Sequence, residues 1–251
     1  MDVVHKLHTL VIACALGGSL CIAAIASPDR EPINTSQAPV YKPPKRGAPA
    51  TRVGGGTRGG DNGMILSVLA PEHTGWTNQA QPVLYWYIAK PTNIDHEIIV
   101  YDGDSVEPLL ALKKSGMVTA GVHALNLADH HVQLQQNVEY EWSVSLINAP
   151  QQPSKNIVAA GTIIYVKASS DFQTLLNNAS PLDTASLFAS HGYWYDAMHT
   201  LLRLTDKHPD RLLFRKYCSN LLKQVGLSGV ANKCKVTLGY KSGRGANMLS
   251  E

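Results

Sequence analysis

Residues 139–146 read Glu-Tyr-Glu-Trp-Ser-Val-Ser-Leu. In an extended chain successive side chains point to opposite faces. Tyr140, Trp142, Val144 and Leu146 therefore form one apolar face, and Glu139, Glu141, Ser143 and Ser145 the polar one. A strand of this kind buries its apolar face against a second layer and turns the other to water. Six more short apolar runs, each broken by turn residues, lie between Met64 and Lys167: Met64–Leu69, Val83–Ala89, Glu97–Tyr101, Pro108–Leu112, Val122–Leu127 and Ile157–Val166. With the extended run Glu139–Asn148 they make seven strands in about a hundred residues, the density of an immunoglobulin-like antiparallel β-sandwich over 63–168.

Two local signals fit that reading. Tyr140, a short step after Leu134, matches a tyrosine corner, whose phenol bonds backbone just upstream. Asp102-Gly103-Asp104-Ser105 stands between two strand runs and has the residue types of a hairpin turn.

From Ser169 the period becomes helical. Ser180-Pro181-Leu182-Asp183 is a capping box with proline at the first helical position, and Gly192 is a suitable left-handed stop. Trp194, Ala197, Met198, Leu201 and Leu204 recur at three and four residues, the apolar face of a second helix ended by Pro209. Arg211–Val225 makes a third, closed by Gly226. Gly192, Trp194, Ala197, Leu201, Leu204 and Pro209, with Phe188 before them, sit where a tetratricopeptide repeat has its matching residues. Leu222 and Gly226 match once more, whereas Thr184 departs from the pattern. One repeat and a half would not stand alone, so these helices, residues 169–226, are expected to pack on the sandwich. The fold class is α+β.

The ends carry a different message. One lysine, an apolar stretch from Leu7 and the closing Ala24-Ile25-Ala26 make residues 1–26 a secretory signal peptide, which places the mature chain in the periplasm or outside the cell. The stretch is too short and glycine-softened to span a bilayer well, so no stable membrane span is expected after cleavage. Cleavage also removes Cys14 and Cys21. Cys218 and Cys234 remain, and in an oxidising compartment they are expected to form a disulfide. Residues 27–62, with six prolines and the run Gly54-Gly55-Gly56-Thr57-Arg58-Gly59-Gly60, bury almost nothing and read as a disordered linker. Residues 227–251, rich in Lys, Gly and Ser, read as a loose basic tail.

The chain has 22 basic and 19 acidic residues, a formal charge of +3. No block reaches the basic density of a nucleic-acid binder, so no nucleic acid is expected as a partner. Candidate chemistry fails on context, and no catalytic, cofactor or metal residues are assigned. The glycine run formally matches a dinucleotide loop but precedes a strand rather than a helix. Asp102, Asp104 and Glu107 are explained by the hairpin without calcium. His130 and His131 are adjacent in an expected loop, and with His123 they lack the converging ligands zinc needs. Glu139 and Glu141 alternate on an exposed face, as solvated carboxylates do. What is left is Tyr85-Trp86-Tyr87: one side of this strand must fill a core. The other is a candidate binding surface, for a sugar or a protein, or lies beneath the helices, and the need of those helices for an apolar dock favours cover.

Several stretches together resemble the domain-of-unknown-function family 928, exported bacterial proteins found mostly in cyanobacteria. They are Arg46-Gly47-Ala48-Pro49, Arg52-Val53-Gly54-Gly55-Gly56-Thr57-Arg58-Gly59, Leu69-Ala70-Pro71-Glu72, Gln81–Tyr87, Tyr140–Leu146, Trp194-Tyr195-Asp196-Ala197 and Leu221–Leu227. The resemblance covers 46–227; the Cys218/Cys234 pair and the lysine-rich end depart from it. It implies export and supplies no mechanism. It does imply a role for the glycine-arginine run, with Arg52 or Arg58 docking on the acidic β domain. The expectation is an extracytoplasmic protein-interaction module that binds a cell-envelope or extracellular protein; a carbohydrate-binding module and an envelope-polymer hydrolase are the alternatives.

Overall fold

Strands come first along the chain and helices follow, and the computed structural model describes residues 38–44, 66–103, 107–148 and 150–234. All of these fall in one compact unit. The strands are β1 (Leu66–Val68), β2 (Gly75–Thr77), β3 (Val83–Ile88), β4 (His96–Asp102), β5 (Pro108–Lys114), β6 (Gly121–Asn126), β7 (Glu139–Leu146) and β8 (Ile157–Tyr165). The helices are α1 (Ser170–Asn177), α2 (Pro181–Ser190), α3 (Trp194–Lys207), α4 (Leu212–Gln224) and the short α5 (Ser228–Ala231). The class is α+β.

The strands form a three-stranded sheet in the order β1-β3-β6 and a five-stranded sheet in the order β2-β8-β7-β4-β5. All seven expected strands are present. The eighth, β2, is three residues long, too short for alternation to announce it. It pairs parallel with β8, so the larger sheet is antiparallel except at that edge.

β7 behaves as its alternation requires. Tyr140, Trp142, Val144 and Leu146 are buried, and the residues between them are partly or fully exposed. The phenol of Tyr140 accepts a hydrogen bond from Gln135 N at 3.0 Å, the bond to upstream backbone expected of it. Across the three-stranded sheet, register places Leu66, Val68, Leu84, Trp86 and Ile88 on one face. That face meets the larger sheet so closely that a Cβ on Gly161 of β8 would lie 2.7 Å from Ala70 Cβ and 3.5 Å from Val68 Cγ2. The two sheets and the helices share one apolar core.

Ser180 caps α2 as expected, although the reciprocal bond of a full capping box, from Ser180 N to the Asp183 carboxylate, is replaced by one from the Ser180 hydroxyl. Ser180 Oγ accepts from Asp183 N and donates to Asp183 Oδ2 at 2.6 Å. Gly192 ends that helix at φ +86°, a conformation that favours glycine. Helix α1, which the sequence pattern did not single out, carries Phe172 into a stack with Tyr193 and His191.

Two expectations need correction. The linker over 27–62 is not wholly unstructured, because residues 38–44 are placed against the helices. The loose tail does not begin at 227: Leu227, Val230, Ala231 and Cys234 are buried, and α5 packs on α4. Short apolar residues spaced at three and four there were masked by the surrounding Lys, Gly and Ser. No helix among the described residues is long and apolar enough to cross a membrane. Residues 1–26, expected as a signal peptide, and residues 235–251 of the expected tail lie outside the described residues.

Candidate functional site

Tyr85, Trp86 and Tyr87 are only 3%, 3% and 7% exposed, so the run is not an open platform. Tyr85 reaches α3, where its hydroxyl and His199 Nδ1 are 2.8 Å apart. Trp86 faces the other way and stacks on His123. β3 is thus buried on both faces because a helix covers one of them, which alternation within a single strand cannot reveal. Burial raises the Tyr85 hydroxyl above its ordinary range and holds His199 below it, so this pair is neutral.

Helix α3 carries most of the polar ties between layers. Tyr195 enters the core, where its hydroxyl accepts from Trp142 Nε1 and donates to Thr162 O, both at 2.9 Å. Trp194 Nε1 donates to Leu69 O at 2.8 Å. Asp196, 5% exposed, accepts from Asn78 N at 2.8 Å and is bonded by the Thr77 hydroxyl. Asn78 Oδ1 in turn accepts from Ala168 N at 2.7 Å. Burial pushes the Asp196 carboxyl up to about 7, the hydrogen bonds only partly offsetting it. Asp196 and His199 line a cleft of about 340 Å³ with Thr77, Gln79, Gln81 and Tyr195. Through these bonds Asp196 ties α3 to the end of β2, and His199 ties it to β3. The sequence pattern showed α3 only as an apolar face and missed both residues.

Where the ends of α2 and α4 and the start of α3 meet the segment between β1 and β2 lies a feature that no sequence pattern announced. Residues 38–44 form an extended strap with Pro39 and Tyr41 turned inward and Val40 and Lys42 outward. Gln224 of α4 grips its backbone twice: Oε1 accepts from Tyr41 N at 2.8 Å, and Nε2 donates to Pro39 O at 2.9 Å. Lys42 N donates to Ala189 O at 3.0 Å, at the end of α2. The Tyr41 ring meets Trp194 edge-on at 5.0 Å and stacks on His73, whose Nε2 is 2.9 Å from the Tyr41 hydroxyl. Burial raises the Tyr41 hydroxyl and lowers His73, so this bond too joins neutral groups. Beyond the tyrosine, Pro44 Cδ sits 3.3 Å from where a Cβ on Gly192 would be. A side chain at 192 would thus both strain the turn and push the strap away. Beside the strap a cavity of about 430 Å³ is lined by Tyr41, Pro43, His73 and Gln224, among others. The one clue in the sequence was Tyr41, the single aromatic residue in 27–62.

Cys218 and Cys234 are disulfide-bonded, with Cα atoms 6.3 Å apart, which ties α4 to the end of the described chain. Arg52 and Arg58 lie outside the described residues. Glu139 accepts from Thr74 Oγ1 at 2.8 Å, so it is a brace between β7 and the segment before β2. Among the described residues no group of three or more His, Cys, Asp or Glu is arranged to hold a metal ion.

A family described as Domain of Unknown Function (DUF928) matches residues 53–234. The match begins after the strap, takes in both sheets and every described helix, and runs on to Cys234, further than residue 227. No curated protein matches the chain.

Proposed function

The chain belongs to the DUF928 family, and from that premise and the geometry of its helices we propose that it is an exported, non-catalytic protein-interaction module of the cell envelope. In this reading residues 1–26 are a cleaved signal, the two sheets are an immunoglobulin-like sandwich, and the helices are a tetratricopeptide-like layer displayed on it. The observation that carries the reading is the hold of the helical layer on the strap: three main-chain hydrogen bonds and a buried tyrosine on an extended segment. Repeat-type helical layers use such surfaces to take extended segments of other proteins. Leu212 and Leu213, 72% and 44% exposed at the start of α4, lie at the other end of that helix from Gln224, about 18 Å along it, and add exposed apolar area to the same layer.

The carbohydrate-binding alternative loses its platform with the burial of Tyr85, Trp86 and Tyr87. The hydrolase alternative has no support in Glu139, which is engaged by Thr74.

A photo-crosslinking residue placed at Leu212 in the full chain tests the proposal. Irradiation in an envelope extract is expected to yield one dominant adduct with an envelope or extracellular protein. Retention on a glycan array, with no protein adduct, would set the proposal aside in favour of the carbohydrate reading.

A further inference from the structure

The strap shows what its seat recognises. Two of its main-chain contacts come from one glutamine amide, which presents an acceptor to Tyr41 N and a donor to Pro39 O, as a neighbouring strand would. The third is Lys42 N to Ala189 O. Main-chain bonds require an extended backbone but leave its side chains free. Side-chain selectivity comes from the tyrosine pocket formed by Trp194 and His73, and from Gly192, which leaves room for the ring of Pro44. Val40 and Lys42 point to solvent and contribute little beyond spacing. Prolines hold the segment extended before it binds, which lowers the entropy lost on docking.

We propose that this seat, between the C-terminal end of α2 and α4, is a recognition site for an extended peptide of the pattern Pro-x-Tyr-x-Pro-Pro in a partner protein, and that residues 38–44 fill it in cis as a competitor. The proposal rests on the interaction-module reading and supplies its partner chemistry. The strap lies outside the family match, which begins at residue 53, whereas Gln224, Gly192, Trp194 and His73 lie inside it. The seat therefore belongs to the domain and the occupant to an extension. Tethered competitors act at effective concentrations of about a millimolar, so a partner of micromolar affinity gains access only when the strap is loosened.

The experiment uses the full chain and a fluorescein-labelled peptide, Ala-Pro-Val-Tyr-Lys-Pro-Pro, followed by fluorescence anisotropy. Two strap variants are tested in parallel: Tyr41→Ala, which removes the anchor, and Lys42→Pro, which removes the bond to Ala189 without touching the core. Each is expected to bind the peptide at least about 10-fold more tightly than wild type, because the competitor is weakened. Adding Gln224→Leu to either variant is expected to abolish binding, as is replacing the peptide's tyrosine by alanine. Circular dichroism identifies a misfolded variant, in which case the other decides. Absence of binding to a folded strap variant, equal affinity for wild type and variant, or indifference to Gln224→Leu would each overturn the proposal. Dimers of the strap variants that form through the same seat would assign it to a second copy of this chain and overturn the partner assignment. Peptide binding without any envelope adduct at Leu212 would leave the recognition site standing and remove the functional reading. An adduct without peptide binding would do the reverse.

Discussion

Tyr195→Phe removes one oxygen from the centre of the molecule and leaves every apolar contact of the ring in place. That oxygen accepts from Trp142 Nε1 and donates to Thr162 O, both at 2.9 Å, and Trp142 is fully buried. The ring fills the space that a side chain at Gly75 would take: Tyr195 Cε2 lies 2.8 Å from where a Cβ there would stand. The buried Trp142 N–H and the partly buried Thr162 carbonyl lose this partner at once. A buried group left unsatisfied costs about 1–3 kcal/mol and a partly buried one less, so the substitution is expected to destabilise the fold by about 2–5 kcal/mol. For a chain of this size that lowers Tm by roughly 4–20 °C. Urea unfolding of both proteins, followed by tryptophan fluorescence and by circular dichroism, measures it. A loss below about 1 kcal/mol would refute the reasoning, because it would mean that Trp142 and Thr162 find other partners and that α3 is not fastened to the sheets through this hydroxyl.

Asp196 gives a prediction with a definite sign. Its carboxyl is raised to about 7 by burial, so the folded protein holds this proton more tightly than the unfolded chain between about pH 4 and 7, and the contribution to stability falls as pH rises through that window. Asp196→Asn removes the slope. The stability of wild type relative to the variant is expected to drop by about 3 kcal/mol between pH 4.5 and 8, and a difference that is flat or rises with pH contradicts it. Reduction of Cys218–Cys234, which closes a loop of 16 residues, is expected to cost about 3 kcal/mol, read as a shift of the urea midpoint with and without reductant. Gly161→Ala drives a Cβ to 2.7 Å from Ala70 Cβ and is expected to cost about 1–3 kcal/mol, whereas a neutral substitution would mean that the two sheets are not in contact there.

What could be read ahead of the structure was whatever a few adjacent residues decide among themselves. The alternation of Glu139–Leu146, the bond from Gln135 to Tyr140, the cap at Ser180 and the glycine stop at Gly192 are all of this kind. Cover is another matter. Tyr85 and Tyr87 on an isolated strand could face water, a sugar or a helix, and only α3, more than a hundred residues later, decides between them. The strap shows the same limit from the other side. Its prolines correctly say that residues 38–44 cannot build a core of their own, but nothing local says that Gln224, 183 residues from Tyr41, offers the segment a seat. Asp196 and His199 were hidden for a related reason: within α3 they are two polar positions beside an apolar stripe, and their partners Asn78 and Tyr85 come from the strands.

Amide hydrogen exchange in the wild-type chain addresses the seat of the strap most directly. The Tyr41 and Lys42 amides, donors to Gln224 Oε1 and Ala189 O, are expected to exchange at least about 100-fold more slowly than in an unstructured peptide. Gln224→Leu is expected to release both. Exchange of Tyr41 and Lys42 at the free-peptide rate in wild type would contradict the seat and everything inferred from it.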